Sequence, residues 1–585
     1  MTFSFKHLLL ATALVGGSLA ANAVPAKPGL WRTITLADGT QVRAELRGDE
    51  YCSFYADKQG RTFRLSDDGK NYVQIELKDE LVKADALRAR ANADRMKRVN
   101  ARKSAARIGE ANGSYFGKKK GIIILVNFKN KKFMFSHNQK FYNKVANERN
   151  YTSSLGHVGS VKDYFLAQSN GQFELDFDVV GPYTLSQNYE YYGAPKGDSH
   201  DTYPYKMIQE ACTQADKDVN FADYDWDGDG YVDQVYVLFA GLGEAAGGDE
   251  NTIWPHESQL KYYDGSFKTS AKTADGSHVY VNTYACGPEN TVVQTATGAL
   301  KTRVDGIGTL CHEFSHCLGY PDLYDTAYSG NMGMSSWDLM CAGSYNADGM
   351  CPPNYTAYEK IFAGWMKPTT LDRAATVKNL PAQDVNYGYA YIIYNDAHPD
   401  EYYLLENRQN NVGVWDRGLA GSGLQITHVD YDANIWSYNR VNTPADYSNL
   451  KNDHERLTIF CADNDRVGSS NTTNGYTTDA GDLYPYKGNN SLTDTSVPAA
   501  KIYNGGEFMG KPITNITQNT DGTIAFDFMG GSTENVIITG INGIAVDSKP
   551  ATDNRVYSID GTYLGTDINA VGHGVFVQNG KKIVK

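Results

Sequence analysis

The chain has 585 residues, a formal net charge of −13, 41% hydrophobic residues and 21% charged residues. That balance is globular, the length allows three or four domains, and the acidity argues against nucleic acid as a partner, because phosphate binding needs clustered positive charge. The eight cysteines are too few and too scattered for a disulfide scaffold.

Residues 1–23 read as a secretory signal peptide. Lys6 supplies a short positive start, Leu8 to Ala20 an apolar core, and Ala21-Asn22-Ala23 a small-residue cleavage site. The apolar run is too short to cross a membrane, and no later run is long enough. The expectation is an exported protein, secreted or attached to a cell surface, with no transmembrane segment.

Residues 24–117 read as a pro-segment. From Ile34 to Leu77, apolar and polar residues alternate between Asp-Gly and Gly-Asp turns, which predicts a small β unit. The charged stretch from Asp79 to Glu110 predicts a helix. Basic residues from Arg88 to Lys120 offer sites for an activating cut. Cys52 is the one cysteine this segment contains, a residue type that, like a carboxylate, can cap a metal held elsewhere in the chain.

Residues 118–367 are expected to form the catalytic domain. Lys120 to Phe128 is a continuous apolar run after a basic patch and predicts a buried strand. Val161 to Gln168 has a helical pattern, and Phe173 to Val180 alternates as a strand. Asp225, Asp227, Asp229, Tyr231 (through its carbonyl) and Asp233 resemble the start of an EF-hand calcium loop, with glycines allowing the sharp turn. Position 12 of such a loop is Tyr236 rather than glutamate, so the loop leads into a strand, and the calcium is structural. Ile253-Trp254-Pro255-His256 follows a glycine-rich stretch that lacks a phosphate-loop ending, and His256 reads as a packed histidine.

The central motif is Cys311-His312-Glu313-Phe314-Ser315-His316-Cys317-Leu318-Gly319-Tyr320-Pro321-Asp322. Residues four apart share a helix face, so His312 and His316 offer two imidazoles to one metal. Glu313 can act on a water held there without itself binding the metal. Gly319 ends the helix by accepting a left-handed backbone, and Asp322 swings back as a third, oxygen ligand. Two imidazoles and one carboxylate leave a position open, which suits catalytic zinc. Downstream, Met340 in Ser336-Trp337-Asp338-Leu339-Met340 resembles the methionine turn of the metzincins. Cys341 and Cys351 are disulfide candidates that spacing does not establish.

Residues 368–530 turn to short alternating strands, among them Tyr389 to Tyr394, Tyr402 to Glu406, Gly423 to His428 and Leu457 to Cys461, and predict a β-sandwich. Residues 531–585 form a separate β-rich tail with Asp-Gly and Asn-Gly turns. This tail resembles the C-terminal sorting domain of type IX secretion cargo, which implies the secretion machinery as a partner.

The motifs HEFSHCLGYPDLYD (312–325), SSWDLMCAGSYN (335–346), DYDWDGDGYVDQVYVLFAG (223–241) and EYYLLENRQ (401–409) resemble the immune inhibitor A family of secreted metallopeptidases. The resemblance spans roughly residues 118–530. It implies an α+β multi-domain protein, with a metzincin-like α/β zinc peptidase domain followed by β-sandwich-like domains. It further implies a zinc endopeptidase acting on extracellular proteins. One departure is visible: where several metzincins place a tyrosine two residues after the turn methionine, this chain has Ala342, and the nearest tyrosine is Tyr345. Two rival readings remain open at this point. One is a non-catalytic, calcium-stabilised surface adhesin on a protease fold, and the other is a zinc aminopeptidase.

Overall fold

The apolar run after the basic patch forms the strand Gly117–Asn127 in the computed structural model. Its side chains alternate between two cores: Ile122, Ile124 and Val126 face one, and Ile123 and Leu125 face the other. A strand buried on both faces has no need of polar alternation, which is why the sequence reads as continuous Ile-Ile-Ile-Leu-Val. The structure describes residues 21–66, 68–85, 88, 115–195, 201–295, 297–328, 330–331, 333–384, 388–446, 451–465, 480–531 and 535–536, together with 556–558, 563–565, 568–570, 572, 575–578 and 581–584 of the tail. Most of the expected signal peptide, most of the charged stretch after Asp85 and much of the tail therefore lie outside the described residues. Among the described residues no helix is long and apolar enough to cross a membrane.

Four parallel strands, Thr283–Gln294, Val235–Leu242, Gly117–Asn127 and Phe173–Thr184, lie side by side in that order. The strand His256–Gln259 closes one edge antiparallel to Thr283–Gln294, which leaves its outer side open to another strand. One face of the sheet packs on the helices Gln139–Asn147, Val161–Gln168 and Gly308–Cys317. The other packs on Pro204–Ala215.

Beyond residue 368 the expected sandwich is present. One sheet runs Thr369–Thr370, Ala390–Tyr394, Glu401–Arg408, Gly423–Asp430, Leu457–Ile459, and the other runs Ile513–Gln518, Ile524–Phe528, Ala375–Leu380, Asn535–Val536. Tyr391, Ile393, Tyr403 and Leu405 fill the core between these sheets. Ile392, Tyr402, Leu404 and Val429, on the opposite face, join the core around the helix Gly308–Cys317. The sequence boundary near residue 368 thus separates two segments that share one core. Arg408 ties them together. It is fully buried, forks onto Asp416 at 2.9 and 2.8 Å, and donates to the carbonyls of Trp337 and Asn354.

The expected pro-segment contains a five-stranded antiparallel sheet of strands Trp31–Thr35, Gln41–Gly48, Ser53–Asp57, Thr62–Leu65 and Tyr72–Gln74, in sequence order, followed by helical residues 77–85. Arg88, the first basic residue expected to be open to an activating cut, is instead buried against Asp49 at 2.6 Å and Asp85 at 3.4 Å. Arg440 reaches the same Asp85 at 2.8 Å, so the helical residues 77–85 are clamped to the sandwich segment. Cys52 packs among Tyr51, Phe54, Ala56 and Ala84, and burial pushes its thiol up to about 12. It therefore sits as an inert core residue rather than as a metal-directed thiolate. Cys341 and Cys351 are both free thiols. The tail is a second compact unit, Thr539–Lys585, with a four-stranded antiparallel sheet ordered Tyr563–Gly565, Val556–Ser558, Val575–Gln578, Lys581–Val584.

Arg408→Met leaves Asp416 as an uncompensated buried charge, which costs about 3–5 kcal/mol. The expected outcome is a large drop in the chemical-denaturation midpoint, with the double variant Arg408→Met/Asp416→Leu recovering part of it.

Candidate metal-dependent active site

All ten residues of the helix Gly308–Cys317 are buried, because it lies between the catalytic sheet and the sandwich. Leu318 caps it and Gly319 follows at φ +99°, the left-handed turn expected of a helix-ending glycine. The chain then reverses and brings Asp322 back. Asp322 Oδ1 lies 3.3 Å from His312 Nε2 and 3.4 Å from His316 Nε2. A carboxylate oxygen of Glu313 lies within 4.8 Å of nitrogens of both histidines.

The tautomers follow from the surrounding backbone. His312 Nδ1 is 2.7 Å from the carbonyl of Leu339, and His316 Nδ1 is 2.9 Å from the carbonyl of Tyr320. Carbonyls only accept, so each Nδ1 carries its proton and each Nε2 presents a lone pair. Those lone pairs meet the acceptor Asp322 Oδ1. Among the described residues, His312 Nε2 and Asp322 Oδ1 are buried without a hydrogen-bond partner. Three acceptors converging in a buried pocket are mutually repulsive unless a cation sits among them. Two imidazoles and one carboxylate form a donor set that fits zinc.

Several of the groups that hold this set were not apparent in the sequence. Asn439 grips Asp322 from both ends: its Nδ2 donates to Asp322 Oδ2 at 2.6 Å, and its Oδ1 accepts from the Asp322 amide at 2.7 Å. Asn442 Nδ2 donates to the Leu323 carbonyl and Thr443 Oγ1 accepts from the Thr326 amide, so one loop of the sandwich segment holds the whole loop after the helix. Met340 is fully buried in the core, and its amide donates to Asp338 Oδ1 at 2.6 Å. That turn aims the Leu339 carbonyl at His312. No motif links Asn439 to Asp322 across 117 residues.

The cleft is lined by the chain's own N-terminal segment. Ala21 and Asn22 pair antiparallel with Ser258 and Glu257 on the open edge strand. The chain then crosses the metal-site helix. The Ala23 carbonyl accepts from Tyr324 Oη at 3.0 Å, and the Val24 amide donates to Glu313 Oε1 at 2.8 Å. The Val24 carbonyl accepts from Trp254 Nε1 at 3.0 Å, the Pro25 carbonyl from Tyr345 Oη at 2.7 Å, and the Lys27 amide donates to the Ala245 carbonyl at 2.7 Å. Lys27 is buried, with its ammonium 3.5 Å from Asp348 and 3.3 Å from Thr291. Burial raises the Glu313 carboxyl well above its ordinary range, and the Val24 amide opposes that shift.

Of the expected calcium ligands, Asp225, Asp227 and Asp229 bring carboxylate oxygens within 4.8 Å of one another. Asp225 also closes the loop by accepting from the amides of Gly228, Asp229 and Gly230. Asp233 is outside that cluster, buried, and turned to the Trp226 amide at 2.6 Å. Tyr231 opens a two-residue strand and donates its amide to Asp229. His256 is a packed histidine, between the Trp254 carbonyl and Tyr284 Oη.

Residues 125–367 match the family model of the immune inhibitor A peptidase M6 catalytic domain. The pre-pro-metalloprotease PrtV of Vibrio cholerae serotype O1 (strain M66-2) is 28% identical over 243 residues, covering 37% of this chain and 25% of that protein. Immune inhibitor A of Bacillus thuringiensis subsp. alesti is 26% identical over 265 residues, covering 41% of this chain and 36% of that protein. The chain thus aligns with about a quarter to a third of the length of these relatives. The matched stretch contains His312, Glu313 and His316, so the candidate site lies inside the part of the chain that is similar to the peptidase M6 catalytic domain.

Proposed function

We propose that the protein is a secreted, zinc-dependent endopeptidase of extracellular proteins, made as a precursor whose N-terminal segment holds the cleft closed. The observation that carries this reading is the buried N,N,O donor set of His312, His316 and Asp322 with Glu313 beside it, and Val24, the first residue after the expected signal peptide, lies against that Glu313. The segment passes through the cleft, with Ala21 and Asn22 on the edge strand on one side and Pro25 to Lys27 continuing on the other. A cleft open at both ends takes the interior of a chain, which favours an endopeptidase over an aminopeptidase. The match of residues 125–367 to a peptidase catalytic domain and the intact Glu313 favour an enzyme over an adhesin.

His312, His316 and Asp322 would hold the zinc, which supplies Lewis acidity and lowers the pKa of a water to about 7. Glu313 takes the proton of the attacking water and later passes it to the leaving amine nitrogen. The Val24 amide marks where that nitrogen lies. The buried helix holds Glu313 rigidly, so little reorganisation is needed during the reaction. Removal of the expected signal peptide after Ala23 frees the edge strand, and removal of the pro-segment from Val24 onward frees the Glu313 carboxylate, which accounts for latency without a cysteine on the metal. The Asp225–Asp227–Asp229 loop is read as a structural calcium site, and the tail as a sorting domain for the secretion machinery.

In Glu313→Ala, the proteolytically processed protein is expected to keep its zinc, measured by atomic absorption, and to lose casein cleavage by at least about a hundredfold. Zinc retained with cleavage intact would remove Glu313 from the reaction, and absence of zinc from the wild type would remove the metal assignment. Lys27→Glu puts a third carboxylate beside Asp305 and Asp348, so the unprocessed precursor is expected to cleave casein above the wild-type background. In Asp227→Ala, the rise in melting temperature on adding calcium is expected to disappear, as followed by differential scanning fluorimetry.

A further inference from the structure

In the chain before the expected signal peptide is removed, the Ala23–Val24 peptide lies in the cleft as an extended backbone and is held by two protein groups, one at each of its ends. Glu313 Oε1 meets its N–H and Tyr324 Oη meets its carbonyl oxygen. In a trans peptide those two atoms point in opposite directions, so the two residues grip the bond from opposite sides. Hydrolysis makes two demands on an amide: a proton for the departing nitrogen and a donor for the oxygen that gathers charge. Glu313 already answers the first. We infer that Tyr324 answers the second: it is a catalytic residue that donates its phenolic O–H to the carbonyl oxygen of the bond being cut. The inference rests on the peptidase reading and adds a residue to it.

The placement of Tyr324 follows from the fold. It lies two residues beyond Asp322, on the loop that Asn439, Asn442 and Thr443 hold. The neighbouring Leu323 is pinned on both sides, its amide to the Met340 carbonyl at 2.8 Å and its carbonyl to the Met334 amide at 3.1 Å. The Tyr324 ring is buried, with the Tyr328 ring centroid 6.2 Å away. A donor fixed by packing before the substrate arrives needs no reorganisation when charge develops. Ala342, two residues beyond Met340, offers no side-chain donor, and Tyr345 reaches the Pro25 carbonyl, two residues beyond Ala23.

The step balances without a further reactant. The water oxygen bonds to the carbonyl carbon, and its proton moves to Glu313. The π electrons of the carbonyl shift onto its oxygen, to which Tyr324 donates a hydrogen bond while keeping its proton. Those electrons then re-form the carbonyl as the C–N bond breaks, and the nitrogen takes the proton from Glu313. One peptide bond and one water give a carboxylic acid and an amine, and the acid's proton passing to the amine leaves a carboxylate and an ammonium.

The test compares processed wild type with processed Tyr324→Phe, which keeps the ring and removes only the hydroxyl. The expected result is a fall in kcat of about 10²–10³-fold on a fluorogenic peptide, with KM and zinc content close to wild type. The second measurement is binding, by calorimetry, of a phosphinic pseudopeptide that carries a tetrahedral phosphorus in place of the scissile carbonyl. Its affinity is expected to fall together with kcat/KM. If kcat and phosphinate affinity stay at wild-type values, Tyr324 only packs against the N-terminal segment and the inference is overturned. Loss of zinc from Tyr324→Phe overturns it too, by making Tyr324 a support of the metal loop. A wild type that binds zinc but cuts nothing strikes at the peptidase reading itself, a different failure from an active wild type with an equally active Tyr324→Phe.

Discussion

The grip of Asn439 on Asp322 is the constraint on which the site depends. Two histidines on one helix face can approach a metal by local geometry, but a carboxylate ten residues past the first of them sits on a loop with no secondary structure to aim it. Buried and uncompensated, that carboxylate would swing away or take up a proton. Asn439 satisfies one of its oxygens and its backbone amide together, which leaves the other oxygen facing the imidazoles. Because Asn439 belongs to the segment after residue 368, the donor set is complete only when the sandwich is docked. The shared core and the Arg408–Asp416 pair are what dock it.

The same logic of fixing a group from behind recurs around the site. The Leu339 and Tyr320 carbonyls set the histidine tautomers, Asp338 shapes the turn that presents Leu339, and Met340 lies in the core beneath that turn. Each contact is modest, since a typical net hydrogen bond contributes about 1 kcal/mol. Their combined effect is geometric, as they determine which atoms of each side chain face the pocket. This explains why a helix buried on every side carries two histidines, a glutamate and a serine among its ten residues.

The N-terminal segment makes the cleft legible without a bound substrate. It takes up the free edge of the sheet, which an extended peptide would otherwise use for backbone pairing. Its carbonyls and amides then find partners from separate parts of the chain: Tyr324, Glu313, Trp254, Tyr345 and Ala245. Most of these contacts involve backbone atoms of the segment. Lys27 is the exception, because its buried ammonium is matched to carboxylates.

The sequence by itself determined the local chemistry: the His312–Glu313–His316 face, the left-handed stop at Gly319, the doubly buried strand after Lys120 and the alternating strands beyond Leu371. These depend on spacings of two, three and four residues, and such spacings are written in the chain. The β unit of the pro-segment was legible for the same reason. The tertiary structure alone decided what met across long separations. It gave Asp233 Oδ2 to the Trp226 amide, buried Arg88 where an open cleavage site was expected, and put Cys52 in a small core rather than on the metal. It also brought Asn439 to Asp322 and Val24 to Glu313, contacts that span 117 and 289 residues. Such pairings arise from packing whole sheets against one another, and no short-range periodicity encodes which loop of one sheet will face which loop of the next.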